Sequence, residues 1–226
     1  MSEVITLPVI PLREAVLFPG VTSPIAAGRP GTLHAIEAAL KADQKQIFVV
    51  AQRENLDDPS PEILYSVGTI ATIGPVQRGP AGMRLLLTGD ARGSVVRFEQ
   101  QDSYLVAVFH ETDEIPPLDL KAPSFVALYK ETRERAAELG HRAGLPKEAV
   151  EQFLAENDDP GRLADLVAGH LNLKTSEAQA LLETLDVEER MRQVLVFTQR
   201  QISVLDAQED IKSQVQEELG DRQREI

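Results

Sequence analysis

Cysteine and tryptophan are absent from this chain of 226 residues, and Phe, Tyr and Trp together supply only 4% of it. Without cysteine there can be no disulfide, no thiolate metal site and no thiol nucleophile, and such usage suits a reducing compartment, so a cytoplasmic location is expected. With so few aromatics, the core has to be built from Leu, Val, Ile and Ala. Long apolar runs are missing as well. "IFVVA" (47–51) and "YLVAVF" (104–109) fall far short of the ~20 residues a membrane helix needs, and no charged-then-apolar leader is present, so no membrane partner is expected. Positive charge is scarce: 23 basic residues face 36 acidic ones, for a net charge of −13. Nucleic acid is bound by clustered Lys and Arg, so it is not an expected partner, and the acidity reads as a solubility device.

The patterns that carry chemistry are also missing. "GPVQRGP" (74–80) has the glycine spacing of a phosphate loop, but Pro80 stands where the lysine belongs and no Ser or Thr follows, so it reads as a turn. "GDARGS" (89–94) lacks the dinucleotide spacing. His34, His110, His141 and His170 are scattered without ligand spacing. Adjacent acids such as Asp57-Asp58 and Asp158-Asp159 diverge on any regular backbone and suit caps and loops. There is no G-x-S-x-G elbow. No catalytic residue, metal or cofactor is therefore expected.

What is present divides into two halves of different period. Up to residue 117 the runs "SVGTIATIGPV" (66–76), "MRLLLTG" (83–89), "GSVVRFEQ" (93–100) and "SYLVAVFHE" (103–111) are rich in β-branched residues and separated by turn chemistry, with "RGPAG" (78–82) as a hairpin tip. One helix, "RPGTLHAIEAALKAD", puts Leu33, Ile36 and Leu40 on one face and is expected to cap an opening of a small bent sheet. The Pro-rich, acidic "DEIPPLDLKAPS" (113–124) predicts a boundary, giving a β-rich unit over 1–117 and a helical unit over 118–226. In the second unit Asp159 with Pro160 reads as a helix start, as does Thr175 or Ser176. The last segment predicts a helix over about 187–226. On it Val204, Ile211, Val215, Leu219 and Ile226 fall within roughly an 80° sector, narrower than the stripe of a core-packed helix, so a partner is expected along its outer half. The alternative is a helix that ends near residue 208 with a frayed tail.

The stretch "LPVIPLREAVLFPG" (7–20) places Pro8, Pro11 and Pro19 in an apolar context and excludes a helix interior. It predicts two short strands, Val4 to Ile10 and Ala15 to Phe18, with the prolines protecting a sheet edge. Extended to "LPVIPLREAVLFPGVTSPIAAGR" (7–29), it resembles the start of the substrate-binding N-terminal domain of the Lon family of ATP-dependent proteases. The resemblance rests on Leu7, Pro8, Pro11, Leu12, Arg13, Phe18, Pro19, Pro24, Gly28 and Arg29. "IFVVAQRE", "YSVGTIATI", "DDPGRLADLVAGHL" and "LLETLDVEERMRQVL" are similar to later segments of the same family.

The resemblance implies an α+β fold: a PUA-like bent sheet or pseudo-barrel, then a helical bundle ending in a long helix. It also implies a non-catalytic substrate-recognition and assembly role, serving an AAA-class ATPase and a Ser-Lys protease that lie outside this sequence. The implied partners are unfolded or damaged proteins and other copies of the chain in a ring, with six copies expected. The expected client surface is Phe18, Pro19, Val21, Pro24, Pro80 and Met83, with Arg29 at the rim, and the expected assembly surface is the Val204–Ile226 stripe, as a coiled-coil arm. A second reading is a standalone adaptor that binds a protein or small ligand without a motor.

Overall fold

The β-branched runs of the first half form a mixed sheet of six strands in the computed structural model, which describes residues 3–226. The strands are β1 (Val4–Leu12), β2 (Thr22–Ala27), β3 (Gln46–Ala51), β4 (Val67–Gly79), β5 (Gly82–Gln101) and β6 (Tyr104–Thr112). Their order is β2-β5-β4-β3-β1-β6, and β5 also pairs with β6. Five strands thus close on themselves as a small barrel, and β2 lies outside it on the first half of β5. Closure needs strong curvature, which register shifts at Ile70/Ala71, Ile73/Val76 and Val95/Arg97 supply. Inside, Phe48 and Phe109 stack at a tilt with centroids 4.6 Å apart. Helix α1 (Pro30–Leu40) covers a second apolar cluster with Ala35, Ile36 and Ala39, while Leu33 and Leu40, expected on that face with Ile36, are only partly buried at its margin.

Several local expectations need correcting. The stretch 15–18 is not a strand, and β1 runs on to Leu12. Nor is β1 an edge strand. Val4–Pro8 pair antiparallel with β6 and Val9–Leu12 pair parallel with β3, so Pro8 sits where pairing passes from one neighbour to the other. The proline on an edge is Pro24 of β2, where a missing donor costs no ladder bond. "GPVQRG" is bulged strand rather than turn, and "MRLLLTG" and "GSVVRFEQ" are one continuous strand. Gly89 does not break that strand; it admits another segment. A Cβ there would stand 2.4 Å from the carbonyl oxygen of Phe18. Gly20 N–H donates to Gly89 O at 2.8 Å, and Gly89 N–H donates to Val21 O at 2.9 Å, pinning loop 18–21 against β5.

The second half is helical: α2 (Pro123–Arg142), α3 (Lys147–Glu156), α4 (Pro160–Gly169), α5 (Thr175–Glu183) and α6 (Val187–Glu225). Asp159 caps α4 by accepting from Arg162 N–H at 3.0 Å, with Pro160 at the first helical position as expected. The start of α5 falls one residue earlier than expected, since Lys174 is its N-cap and Glu177 accepts from the Lys174 N–H at 3.0 Å. Asp186 caps α6 through Glu189 N–H. Helix α6 runs 39 residues, about 58 Å at 1.5 Å per residue, without fraying at 208. Its buried positions end at Ile202.

The two halves interpenetrate. Phe18, carried on the loop pinned by Gly89, is 2% exposed and joins the helical cluster of Leu163, Leu181 and Met191. Beside it four charges meet. Arg92 of β5 donates to both oxygens of Asp165 on α4 at 2.8 and 2.7 Å and to Leu182 O at 2.7 Å. Arg190 of α6 donates to Glu114 and to Thr184 O, and its Nε lies 3.2 Å from Asp165 as an ion pair without hydrogen-bond alignment. Burial pushes the Arg190 guanidinium down from its ordinary value, and Asp165 acts against that. Two positive and two negative charges balance there, with Arg92, Asp165 and Arg190 buried and Glu114 at the solvent edge.

Candidate functional site: an apolar groove between helices

Of the residues expected to contact clients, the structure withdraws two. Phe18 is the joint between the halves, and Met83, 8% exposed, faces Ala27 across the β2–β5 pair and belongs to the barrel core. Both are apolar residues beside turns, and both are consumed by packing. Val21 is half-buried between the two cores. Pro19 lines a polar cleft of about 600 Å³ at the junction. Arg29 is half-buried and fully engaged, donating to Pro11 O at 2.6 Å and Gln52 Oε1 at 2.8 Å and reaching Leu56 O and Asp57 O, so it ties loop 52–58 to β1. Burial, and then Arg13, push its guanidinium down from the ordinary value. Pro24 and Pro80 remain exposed, Pro24 directly opposite exposed Leu86 and Pro80 at the β4–β5 tip. The seven residues therefore do not form one patch.

A different concavity stands open in the helical half. The end of α2, the turn to α3, α3 itself, α4 and α6 enclose a groove of about 440 Å³. Leu139, Leu145, Val150, Phe153 and Leu154 form its walls, and Val167 and Leu205 close it below. The local sequence explains the opening. "HRAGLPKEAV" ends α2, turns at Gly144 in the left-handed region (φ 89°), and begins α3 after Pro146, the α3 N-cap. Between these two helix breakers Leu145 cannot fold back into either helix, and it stays 52% exposed at the rim.

Few polar groups reach the groove. His170 donates from Nδ1 to Leu166 O at 2.7 Å and meets the Phe153 ring edge-on with centroids 6.1 Å apart. Arg142 is turned away to Asp206, whose hydrogen bond raises its pKa further, and to Ile202 O at 3.3 Å. Such a lining can hold apolar side chains and offers no nucleophile with a neighbouring base. Among the described residues no three His, Asp or Glu side chains are grouped as metal ligands, and no helix is long and apolar enough to cross a membrane. The signal that could have found the groove is the apolar Leu145 caught between Gly144 and Pro146.

The stripe expected to serve assembly lies on the exposed side of α6. Val204, Ile211, Val215 and Leu219 are 49% to 60% exposed on α6, and Ile226 follows the helix end.

The family model described as the ATP-dependent protease La (LON) substrate-binding domain matches residues 6–200. Lon protease 1 of Sorangium cellulosum is 42% identical over 228 residues, covering 100% of this chain and 28% of its own length. The Lon protease of Aquifex aeolicus is 35% identical over 225 residues, covering 96% of this chain and 28% of its own. The chain thus spans less than a third of such relatives. The N-terminal domain of a Mycobacterium avium complex Lon protease superposes with a TM-score of 0.67 at 26% identity, over 86% of this chain and 98% of that one. A Lon N-terminal domain protein from Xanthomonas campestris shares the fold, with a TM-score of 0.60 at 20% identity over 85% and 98% of the two chains. With the family model matched over residues 6–200 and the Sorangium relative aligned over the whole chain, this chain belongs to the substrate-binding-domain family of the ATP-dependent Lon proteases.

Proposed function

We propose that the chain recognises unfolded or damaged polypeptides for an ATP-dependent serine protease of the cytoplasm and helps to assemble that protease into a ring, without catalysing a reaction itself. The observation that carries this reading is the unfilled apolar groove between α2, α3, α4 and α6, open at Leu145 on a chain of this family. An unfolded client has no fixed shape, so it can place one or two apolar side chains in such a groove and little more. Small contact area gives weak binding, on the order of micromolar or weaker. Pro24 with Leu86, and Pro80 at the neighbouring tip, supply a second, shallower contact along the outer strand β2, while Pro19, Val21 and Arg29 lie apart from it. The stripe from Val204 to Ile226 serves assembly, and the chain divides near residue 117 into a barrel unit and a helical unit.

The test is fluorescence anisotropy with a labelled, permanently unfolded polypeptide. Leu145→Asp places a charge at the rim without touching the core, and should weaken binding about ten-fold while the melting temperature stays within the range of ordinary surface changes. Undiminished binding by Leu145→Asp, together with loss on Pro24→Ser and Leu86→Ser, would move the client site to the β2 edge. Undiminished binding by both would remove the recognition reading from these surfaces.

A further inference from the structure

We propose that the N-terminal end of α1 is a carboxylate site, and that the carboxylate it takes is the C-terminal one of a polypeptide. The choice of a polypeptide as the source rests on the recognition reading; the carboxylate chemistry does not.

Three donors are left over at that end of the helix. Pro30 has no N–H, and the helical ladder begins with Leu33 N–H donating to Arg29 O at 3.0 Å. The N–H groups of Gly31 and Thr32 therefore have no partner among the described residues, and Arg29 at the N-cap supplies no side-chain acceptor. No acid stands in the first turn. The third donor is the Thr32 hydroxyl. Thr32 is only 7% exposed, its side chain makes no hydrogen bond with any described residue, and it lines two cavities, of about 640 and 360 Å³. A buried hydroxyl is ordinarily bonded. Side chains lean toward the start of their own helix, so this hydroxyl faces the same end as the two free amides. Donors gathered at a helix N-terminus bind an oxyanion, and the helix dipole favours its charge.

The surroundings set how much charge the guest can carry. Arg29 donates to neutral acceptors only, Pro11 O, Gln52 Oε1, Leu56 O and Asp57 O, while Arg13 pairs with the Asp57 carboxylate at 2.5 Å. Asp58 lines the larger cavity with them. The two guanidinium groups and two carboxylates cancel, which leaves the roughly half unit of positive charge at the helix terminus. A single negative charge suits that remainder. A phosphate dianion would meet Asp57 and Asp58 with one charge too many.

The lining of the larger cavity selects a chain end. Pro30, Pro59, Tyr104 and Leu105 make part of its wall apolar, beside the free donors. A terminal residue carries its carboxylate and its side chain on one Cα, so it can reach the donors and cover the apolar wall together. An internal Asp or Glu spends its side chain on the donors and has none left for the wall.

The test follows the Gly31 and Thr32 amide signals by heteronuclear NMR on the full chain. The probe is a short peptide of Ala and Leu, acetylated at its N-terminus and ending in a free acid, with the C-terminal amide as control. The acid should move both signals and bind about ten-fold more tightly than the amide, as expected for hydrogen bonds to a charged group. Thr32→Val should weaken the acid's binding several-fold without lowering the melting temperature, because the hydroxyl has no partner within the protein to lose. At Gly31 a Cβ would meet nothing nearer than Ser103 O at 3.8 Å. Gly31→Asp therefore sets a carboxylate of the chain's own at the vacant amides, and should raise the melting temperature while abolishing peptide binding. Equal binding of acid and amide would overturn the proposal. So would acetate binding as tightly as the peptide, which would make the source a small carboxylate, or an amidated peptide with one internal Asp binding as well as the free acid. A Thr32→Val variant that melts lower and binds undiminished would make the hydroxyl structural, and would overturn it too. These signals report α1 alone, whereas the groove is read at Leu145, so the failure of one reading leaves the other standing.

Discussion

Asp165 shows how a single side chain can decide the coherence of this molecule. Its carboxylate receives both Nη atoms of Arg92 and lies 3.2 Å from Arg190, all three side chains being nearly or fully buried. Neutralising it strands two guanidinium groups with only half-exposed Glu114 as counterion. Asp165→Asn should therefore cost about 3–5 kcal/mol, whereas breaking the exposed Arg192–Glu188 pair should cost about 1 kcal/mol or less. Urea titration of both variants measures the contrast, and equal small losses would mean that water reaches the cluster. Glu177 makes a second prediction, in pH. Bonds from Arg200 and from the Lys174 N–H hold its carboxyl down from 4.5 to about 2. A depressed carboxyl contributes stability that is fully present above the unfolded value near 4.5 and is lost as the pH falls through about 2. Glu177→Gln should melt below the parent at pH 7, and the gap should close on acidification to pH 2. A gap independent of pH would assign the loss to the missing cap rather than to the charge.

At the scale of elements, α6 is two helices in one. Up to Ile202 it is core, with Met191 and Val194 fully buried, and beyond Leu205 at the groove its large apolar residues face outward. Changing Ile211 and Val215 together to Asp should leave the melting temperature of the fold nearly unchanged, while Val194→Asp, burying a charge without a partner, should prevent folding. Calorimetry separates them, and a collapse of the first variant would place the stripe inside the domain core. This division was legible in the sequence because helical periodicity survives whether or not a partner is present. So were the α4 cap at Asp159 and the strands around "IFVVA", where one short-range rule is enough. The stretch 15–18 was misread as strand because its apolar residues follow tertiary need, Leu17 entering the barrel core and Phe18 the helical one. The glycines of "LTGDARG" look like turn chemistry until the backbone of Phe18 is seen against Gly89. The groove was illegible for the same reason: its walls obey core periodicity, and only the arrangement of four helices leaves it unfilled.

For the whole molecule the question is whether barrel and helices fold as one. A Pro-rich boundary near residue 117 suggests two separable units, yet three long-range ties cross it. Phe18 sits in the helical cluster, Arg92 bonds Leu182 O and Asp165, and Ile115 exchanges backbone hydrogen bonds with Leu185 and Val187. Phe18→Ala removes the one aromatic that the barrel half sends into the helical cluster, at a cost of about 3–5 kcal/mol. If the halves are one cooperative unit, that loss must appear everywhere. Amides of β5 and β6 should then lose hydrogen-exchange protection together with those of α4 and α5, and thermal unfolding should remain a single transition at lower temperature. If the helices alone lose protection while the barrel keeps its own, the two halves are independent domains in contact, and the buried charges of Arg92, Asp165 and Arg190 set their orientation rather than their stability.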